Sequence, residues 1–229
     1  MKKGVVVLLS GGQDSATCLA MVKDVGYSPI HTIAFDYGQR HRIELGCSKN
    51  LAARAGAIHH EVPINTFKYV SVSNLLNNNT DINEKHAIDS EVPSSFVPGR
   101  NLIFLTFAAA LAYSLGIEDL YTGVCQTDFS GYADCRDETI KALEVAISLG
   151  LGKKIKIHTP LMYATKAEIV EIMLGMGCLS WYEDTHTCYN GKRPPCGTCP
   201  ACVLRAKGFA MMGIEDPLIK IQREKRDGR

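Results

Sequence analysis

The sequence predicts an α/β protein built on a doubly wound parallel sheet of five strands, with a small cysteine-rich segment at its C-terminal end. Short β-branched runs alternate with helical runs along the chain, which favours parallel strands joined by right-handed crossovers. The first such run, residues 5–9, ends in a Gly-Gly turn that leads into a helix. Four cysteines then cluster between residues 188 and 202. We therefore assign residues 1–180 to the α/β domain and 181–229 to the C-terminal segment, since 229 residues suit one domain with a small appendage.

The amino-acid composition argues against nucleic-acid and membrane partners. A formal charge of +1 with 46% hydrophobic residues gives no sign of a nucleic-acid surface or of disorder, and we interpret the basic tail at 220–229 as a solvated terminus. The first strand begins within a few residues, which leaves no room for a signal peptide, and no apolar run approaches the ~20 residues of a membrane span. We expect a cytoplasmic protein that binds neither membrane nor nucleic acid. Its nine cysteines then indicate metal or catalysis rather than disulfides.

The stretch Ser10-Gly11-Gly12-Gln13-Asp14-Ser15 predicts a phosphate site. Its glycines let backbone amides approach an anion, the helix start offers unpaired N–H groups and a positive dipole end, and the serines add hydroxyl donors. It is not the lysine-containing loop of common nucleoside triphosphatases, because position 14 is an acid. An ordinary glycine turn before a helix is the alternative.

The next elements complete the first half of the sheet. Residues 29–36 predict a second strand that leads into a helix ending near Ala55, and 57–62 predict a third strand. Residues 64–98 are rich in Asn and lack regular apolar repeats, which predicts a long loop with a short helix. Such a loop is either a functional lid or disordered.

The second half repeats the alternation. Residues 101–114 are apolar all round and predict a buried helix, and 120–124 predict the fourth strand. Asp134 can cap a helix that ends near Leu149. A capping box at 165–168 starts another helix.

The cysteine cluster has the spacing C-x7-C-x2-C-x2-C, with turn residues between its members. Such spacing matches a closed tetrahedral zinc site formed by Cys188, Cys196, Cys199 and Cys202. An iron–sulfur cluster is the first alternative, although its usual further ligand pattern is absent, and a free redox-active pair is the second. Four thiolates leave no open position for substrate, so we expect one structural zinc per chain. We interpret Cys18, Cys47 and Cys178, which lie outside the cluster, as core residues.

A polar loop at 123–136 follows the fourth strand. In a doubly wound sheet, ligands bind outside the carboxyl ends of the strands, where this loop and the phosphate loop both lie. Arg100, just before a helix, suits a phosphate or a carboxylate, unless it is a surface residue after an ordinary Pro-Gly turn. Cys125 could instead be a nucleophile like that of a glutaminase, with His59 and Glu61 as partners, although their order in the chain is opposite to the glutaminase order.

The string S-G-G-Q-D-S resembles the PP-loop of the N-type ATP pyrophosphatases, with their adenine nucleotide alpha hydrolase-like fold. The whole chain resembles the 7-cyano-7-deazaguanine synthases of the queuosine pathway. The strings that carry this resemblance are F-D-Y-G-Q-R-H at 35–41, F-V-P-G-R-N at 96–101, G-V-C-Q-T-D-F-S-G-Y-A-D-C-R at 123–136, T-P-L-M at 159–162 and T-C-Y-N-G at 187–191. Departures are Gln126 in place of the usual Glu, Ala133 in place of a common Pro, and a first cysteine spacing one residue shorter.

The resemblance implies an ATP-dependent carbon–nitrogen ligase. Such an enzyme converts 7-carboxy-7-deazaguanine and ammonia to the nitrile through adenylated acid and amide, with release of AMP and pyrophosphate. It also implies bound zinc, Mg²⁺ with ATP, and a homodimer.

The resemblance further implies three sets of site residues. The ATP-binding set is Leu8, Leu9, Ser10, Gly11, Gly12, Gln13, Asp14, Ser15, Ala16, Thr17 and Cys18; the catalytic set is Asp14, Ser15, Arg100 and Lys166; and the substrate set is Asp128, Ser130, Gly131, Tyr132, Asp134 and Arg136. Asp14 would act through Mg²⁺, while Lys166 or Arg100 would offset charge at the α phosphorus. Arg136 would pair with the substrate carboxylate.

Two other classes compete with this hypothesis. A PP-loop tRNA-modifying thiolase would need to contact tRNA, which the near-neutral charge disfavours. A non-enzymatic zinc-binding adaptor would leave the phosphate loop unexplained.

Overall fold

The computed structural model describes residues 3–71, 73–76, 92–127 and 132–228. Within these ranges lie five strands, β1 Val5–Leu8, β2 Ile30–Asp36, β3 Ile58–Pro63, β4 Asp119–Tyr121 and β5 Lys156–His158. The α-helices are α1 Gln13–Val25, α2 Ile43–Ala55, α3 Phe67–Val70, α4 Arg100–Ser114, α5 Asp137–Leu151, α6 Lys166–Gly175, α7 Pro200–Met212 and α8 Pro217–Arg226. Short 3-10 turns lie at Asn74–Leu76, Ala133–Cys135 and Leu179–Asp184.

The strands form one parallel sheet in the order β3-β2-β1-β4-β5. Val5 of β1 pairs with Ile30 on one side and with Asp119 on the other, so β1 lies at the centre. The direction of winding reverses between β1 and β4, which makes their carboxyl ends the switch point where ligands bind in this class of fold. The predicted five-stranded, doubly wound sheet is confirmed.

Two hydrophobic cores cover the two faces of the sheet. The valines of β1 are completely buried and point alternately into both cores, as expected for a central parallel strand. Helices α4 and α5 contribute to one core, whereas α1, α2 and α6 contribute to the other. The short loops after β1 and β4 are therefore held over the carboxyl edge from both sides.

The C-terminal segment is packed into these cores. Tyr182 is completely buried, and its hydroxyl lies 2.7 Å from the Thr17 hydroxyl of α1. Arg205 of α7 forms a buried ion pair with Asp216 at 2.6 and 2.8 Å and also donates to the Tyr182 carbonyl. Because this charge pair has several further hydrogen bonds, it fixes α7 and the start of α8 against the sheet domain. The boundary at residue 180 stays a prediction.

The predicted buried helix is buried on one side only. In α4, Phe104, Leu105 and Ala108 face the core, but Ile103 and Phe107 are 37% and 48% exposed. A helix lying on a sheet buries one stripe, so an all-apolar sequence leaves its outer stripe exposed unless another surface covers it. Among the helices of the described ranges, none is both long and apolar enough to cross a membrane.

The predicted role of Asp134 as a cap is wrong. Helix α5 begins at Asp137, three residues later, and the Asp134 carboxylate instead accepts from the Asn101 N–H in the first turn of α4, at 2.9 Å. This bond fastens the loop after β4 to α4. In the long polar loop, the short helix is present as α3, while residues 77–91, on which the lid hypothesis depends, lie outside the described residues.

Candidate active site

The phosphate loop is pressed against α2. Gly11 has a φ of +86°, and a Cβ there would lie 2.3 Å from the Glu44 carbonyl oxygen and 2.9 Å from the Ser48 nitrogen. Only glycine meets both the conformational and the spatial requirement. Gly12 is the N-cap of α1 and has no side-chain cap, so the first N–H groups of the helix are left for an anion.

Two hydroxyls are held at the mouth of this loop. The Ser10 and Ser15 Oγ atoms lie 3.1 Å apart, the Gly12 N–H donates to Ser10 at 3.3 Å, and the Ser15 hydroxyl contacts the Gly12 carbonyl at 3.1 Å. These bonds fix the donors before a ligand arrives, which lowers the entropy cost of binding. The geometry is that of a preformed anion cup.

An ion pair joins the phosphate loop to α6. Lys166 Nζ lies 2.7 Å from both Asp14 carboxylate oxygens. Lys166 is the first residue of α6, after the predicted capping box of Thr165 and Glu168, which is confirmed. A cation is unfavourable at a helix N-terminus, and Asp14 offsets that cost. Helix α7 supports the pair, because a Cβ on Gly208 would lie 2.7 Å from the Lys166 Cβ.

The loop after β4 approaches the same helix start. A Cβ on Gly123 would lie 2.9 Å from the Asp14 carbonyl carbon and from the Ser15 nitrogen. Gly123 therefore lets the end of β4 contact the first turn of α1 backbone to backbone. This contact closes the switch point on the side opposite α2.

These segments enclose a cavity of about 280 Å³. All four predicted catalytic residues line it, together with Tyr132 of the substrate set and, of the ATP-binding set, Leu8, Leu9, Ser10, Gly12, Gln13, Asp14 and Ser15. Gly11, Ala16, Thr17 and Cys18 are buried and do not line it. Apolar walls with a few converging polar groups are typical of small-molecule sites.

The remaining substrate candidates do not line this cavity. Asp134 is engaged by α4, and Arg136 lies beside a separate surface depression with Gln126 and Asp137. Asp128, Ser130 and Gly131 lie outside the described residues. From the loop at 123–136, the residues that line the cavity are Gly123, Val124, Cys125, Tyr132 and Cys135. Asp134 and Arg136 are not among them.

Sequence reasoning missed a polar cluster on the β2 side of the cavity. The buried Glu44 carboxylate accepts from Gln39 Nε2 at 2.9 Å and lies 3.1 Å from His41 Nε2. His41, Glu44 and Tyr37 all line the cavity. The available signal was the polar string at 35–41 directly after a buried strand, which is where α/β ligand sites form.

His186 connects the cysteine segment to the phosphate loop. Its backbone N–H donates to the Gly11 carbonyl at 2.8 Å, and its Nε2 lies 2.9 Å from the Cys188 carbonyl, to which it can donate as Nε2–H. Burial lowers the pKa of the His186 imidazole below its ordinary value, so the ring is neutral near pH 7. The cysteine segment and the phosphate loop are therefore directly coupled.

The four clustered cysteines fit a metal. Their Sγ atoms all lie within 4.8 Å of one another, close to the ~3.8 Å edge of a tetrahedron with Zn–S bonds of ~2.3 Å. The N–H of Cys196 contacts Cys188 Sγ at 3.5 Å, and the N–H of Cys199 contacts Cys196 Sγ at 3.4 Å, which favours thiolate. Zinc would hold Cys188, close to His186, to the start of α7 and would have no free coordination position.

The glutaminase-like alternative is wrong. Cys125 Sγ contacts the Thr127 hydroxyl at 3.0 Å and the Ala164 carbonyl at 3.2 Å. His59 lies on β3, where its Nδ1 is 2.8 Å from the Thr32 hydroxyl. Two strands separate β3 from β4 in the sheet, so His59 cannot activate this thiol.

The model of the family described as queuosine biosynthesis protein QueC matches residues 4–213. The chain belongs to the QueC family. Similar relatives are named 7-cyano-7-deazaguanine synthase. The protein from Chromobacterium violaceum is 50% identical and covers 94% of this chain and 92% of the relative, and that from Laribacter hongkongensis is 49% identical and covers 93% of each. The relative from Azorhizobium caulinodans is 46% identical over 90% of this chain and 92% of its own. The family match spans both the phosphate loop and the cysteine cluster of this QueC family chain.

We predict that Gly123→Ala abolishes most ATP turnover. The added methyl would meet two backbone atoms at 2.9 Å, so the loop after β4 and the start of α1 must separate. Gly150→Ala is the matched control, since Gly150 lies within α5 with open space around it, and alanine there should stabilise the fold by ~0.5–1 kcal/mol. Turnover is measured as pyrophosphate release. Equal turnover in the two variants would contradict the close backbone contact.

We predict that the protein purifies with one zinc per chain and that Cys199→Ser lowers both zinc content and folded yield. Structural zinc contributes to folding free energy, and Cys199 is completely buried in the cluster. Cys178→Ser, outside the cluster and half-buried, should keep its zinc. Elemental analysis and thermal unfolding measure both effects. Stoichiometric iron, or a Cys199→Ser protein with full metal content, would refute the assignment.

Proposed function

We propose that this chain is a 7-cyano-7-deazaguanine synthase, an ATP-dependent ligase that converts 7-carboxy-7-deazaguanine and ammonia to the nitrile. Membership of the QueC family and the names of relatives at 46–50% identity support the overall reaction. The observation that carries the chemistry is the cavity at the switch point, which joins a preformed anion cup to Asp14, Lys166 and Arg100. Phosphate and carboxylate groups can therefore meet in one enclosure.

The first step activates the acid. A carboxylate oxygen of the substrate attacks the α phosphorus of ATP, the bond from that phosphorus to the bridging oxygen breaks, and pyrophosphate leaves with the electron pair. The amides of the loop and the Ser10 and Ser15 hydroxyls hold the departing phosphates, while Lys166 offsets the charge that develops. Ammonia then attacks the acyl carbon, AMP leaves, and one proton is lost from nitrogen to give the amide.

The second step activates the amide in the same site. The amide oxygen attacks the α phosphorus of a second ATP, and pyrophosphate again leaves. Loss of AMP then takes the last oxygen from carbon, and the two protons leave nitrogen as the C≡N bond forms. Acid and amide differ at one atom, so one enclosure can serve both steps.

Particular residues support the proposed metals, the homodimer and the cytoplasmic location. Asp14 is an oxygen ligand suited to Mg²⁺, which would enter with ATP and neutralise phosphate charge once Lys166 shifts to the phosphates. Zinc at the cysteine cluster would hold the C-terminal segment in place without taking part in the reaction. The exposed apolar stripe of α4 supports a homodimer, and the free thiols of the described chain suit the reducing cytoplasm.

The proposal predicts two AMP and two pyrophosphate for each nitrile formed from the acid. Supplied amide should be converted with one ATP and without ammonia, because only the second activation remains. Mass spectrometry of the heterocycle and chromatography of the nucleotides measure both ratios. Formation of ADP and phosphate, or failure to convert the amide, would exclude this mechanism, and absence of any nitrile would exclude the function.

A further inference from the structure

The part of the cavity beside β2 and α4 is an aromatic chamber, formed by Tyr37, Phe104, Tyr132 and Tyr189. The Tyr37 and Phe104 rings meet edge to face with centroids 5.3 Å apart, and Phe35 stacks on the other side of the group at 4.4 Å from Phe104. Ser95 holds the Tyr132 hydroxyl at 2.5 Å. The rings are thus fixed by packing and hydrogen bonding, and such a rigid apolar wall suits a flat heterocycle.

Arg100 lies within this chamber. Its guanidinium carbon is 5.9 Å from the centre of the Tyr37 ring and 5.7 Å from that of Tyr132, and it donates to the Tyr37 hydroxyl at 3.3 Å. Among the described residues, no carboxylate forms an ion pair with Arg100, whereas the other cation at the cavity, Lys166, is paired with Asp14. Asp134, an acid that acts electrostatically on Arg100, already accepts from the Asn101 N–H.

The position of Arg100 is unfavourable for stability alone. It is the first residue of α4, where the helix dipole disfavours a cation, and it lies half-buried beside the Tyr37 and Tyr132 rings. A guanidinium that no described carboxylate pairs with is well suited to an incoming anion, which it can bind through two parallel hydrogen bonds.

Two anions of the proposed reaction are candidates, the phosphates of ATP and the carboxylate of the heterocyclic acid. The anion cup, Asp14 and Lys166 already provide a phosphate site. Arg100 itself contacts the Tyr37 hydroxyl and lies beside the Tyr37 and Tyr132 rings, neither of which belongs to the phosphate loop. The aromatic surroundings match the ring system that carries the carboxylate.

We propose that Arg100, with the aromatic chamber around it, binds the planar heterocyclic acid through its carboxylate. This inference rests on the proposed function and reassigns the substrate carboxylate from Arg136, which does not line the cavity. Arg100 then selects the acid over its neutral amide at the first step, and the same chamber holds the amide through ring contacts at the second.

The test compares two substrates in one variant. Arg100→Met keeps an unbranched apolar stem beside the rings but removes the charge and the paired donors. For the acid with ATP and ammonium, kcat/KM should fall about 10- to 100-fold, because a charge-assisted pair is lost. For the amide with ATP, kcat/KM should stay within about threefold of the unchanged protein, since the amide carries no charge.

Controls separate the possible outcomes. Arg42→Gln removes the same charge from an exposed residue outside the cavity, so it should affect neither substrate. Arg100→Lys keeps the charge but lacks the two parallel N–H donors of the guanidinium. Its kcat/KM should fall less than that of Arg100→Met, and only with the acid, which provides a second test if Arg100→Met folds poorly. An equal loss with acid and amide would place Arg100 on the phosphates, and an acid-specific loss in Arg136→Gln but not in Arg100→Met would return the carboxylate to Arg136. Either result overturns the inference. Failure of the unchanged protein to convert the amide would instead overturn the proposed function.

Discussion

The site depends on backbone atoms approaching more closely than a Cβ atom would allow. Gly11 lies against α2 and Gly123 against the first turn of α1, in both cases with no space for a methyl group. These two contacts bring the loops after β1 and β4 together at the point where the sheet reverses its winding. The anion cup is the result: an uncapped helix start with its hydroxyls already in position.

The C-terminal segment contacts the walls of the same cavity. His186 donates to the Gly11 carbonyl beside the cup, Tyr189 lines the aromatic chamber, and Gly208 lets α7 support Lys166. A metal held by the four cysteines would therefore fix three walls of the cavity while remaining outside the chemistry. A metal at this cluster would thus have a structural role, separate from the proposed reaction.

Local patterns predicted what depends on local order. Each strand or helix in the alternation, the Gly-Gly turn and the cysteine spacing is recognised from a short, continuous stretch of sequence, and the sheet, the uncapped helix start and the thiol cluster are present as expected. Contacts between distant segments were not predictable in this way. The ion pair from Asp14 to Lys166 spans 152 residues, the carboxylate of Asp134 serves α4 rather than its own helix, and only the fold shows that Arg100 points into a ring of tyrosines whereas Arg136 does not.

In the proposed reaction, a substrate oxygen attacks the α phosphorus of ATP within the cavity. The most direct measurement is to supply acid labelled with ¹⁸O at both carboxyl oxygens and to determine the mass of each product. Every AMP should carry one labelled oxygen, pyrophosphate should carry none, and the nitrile should be free of label. Label in pyrophosphate or inorganic phosphate, or AMP without label, would contradict it.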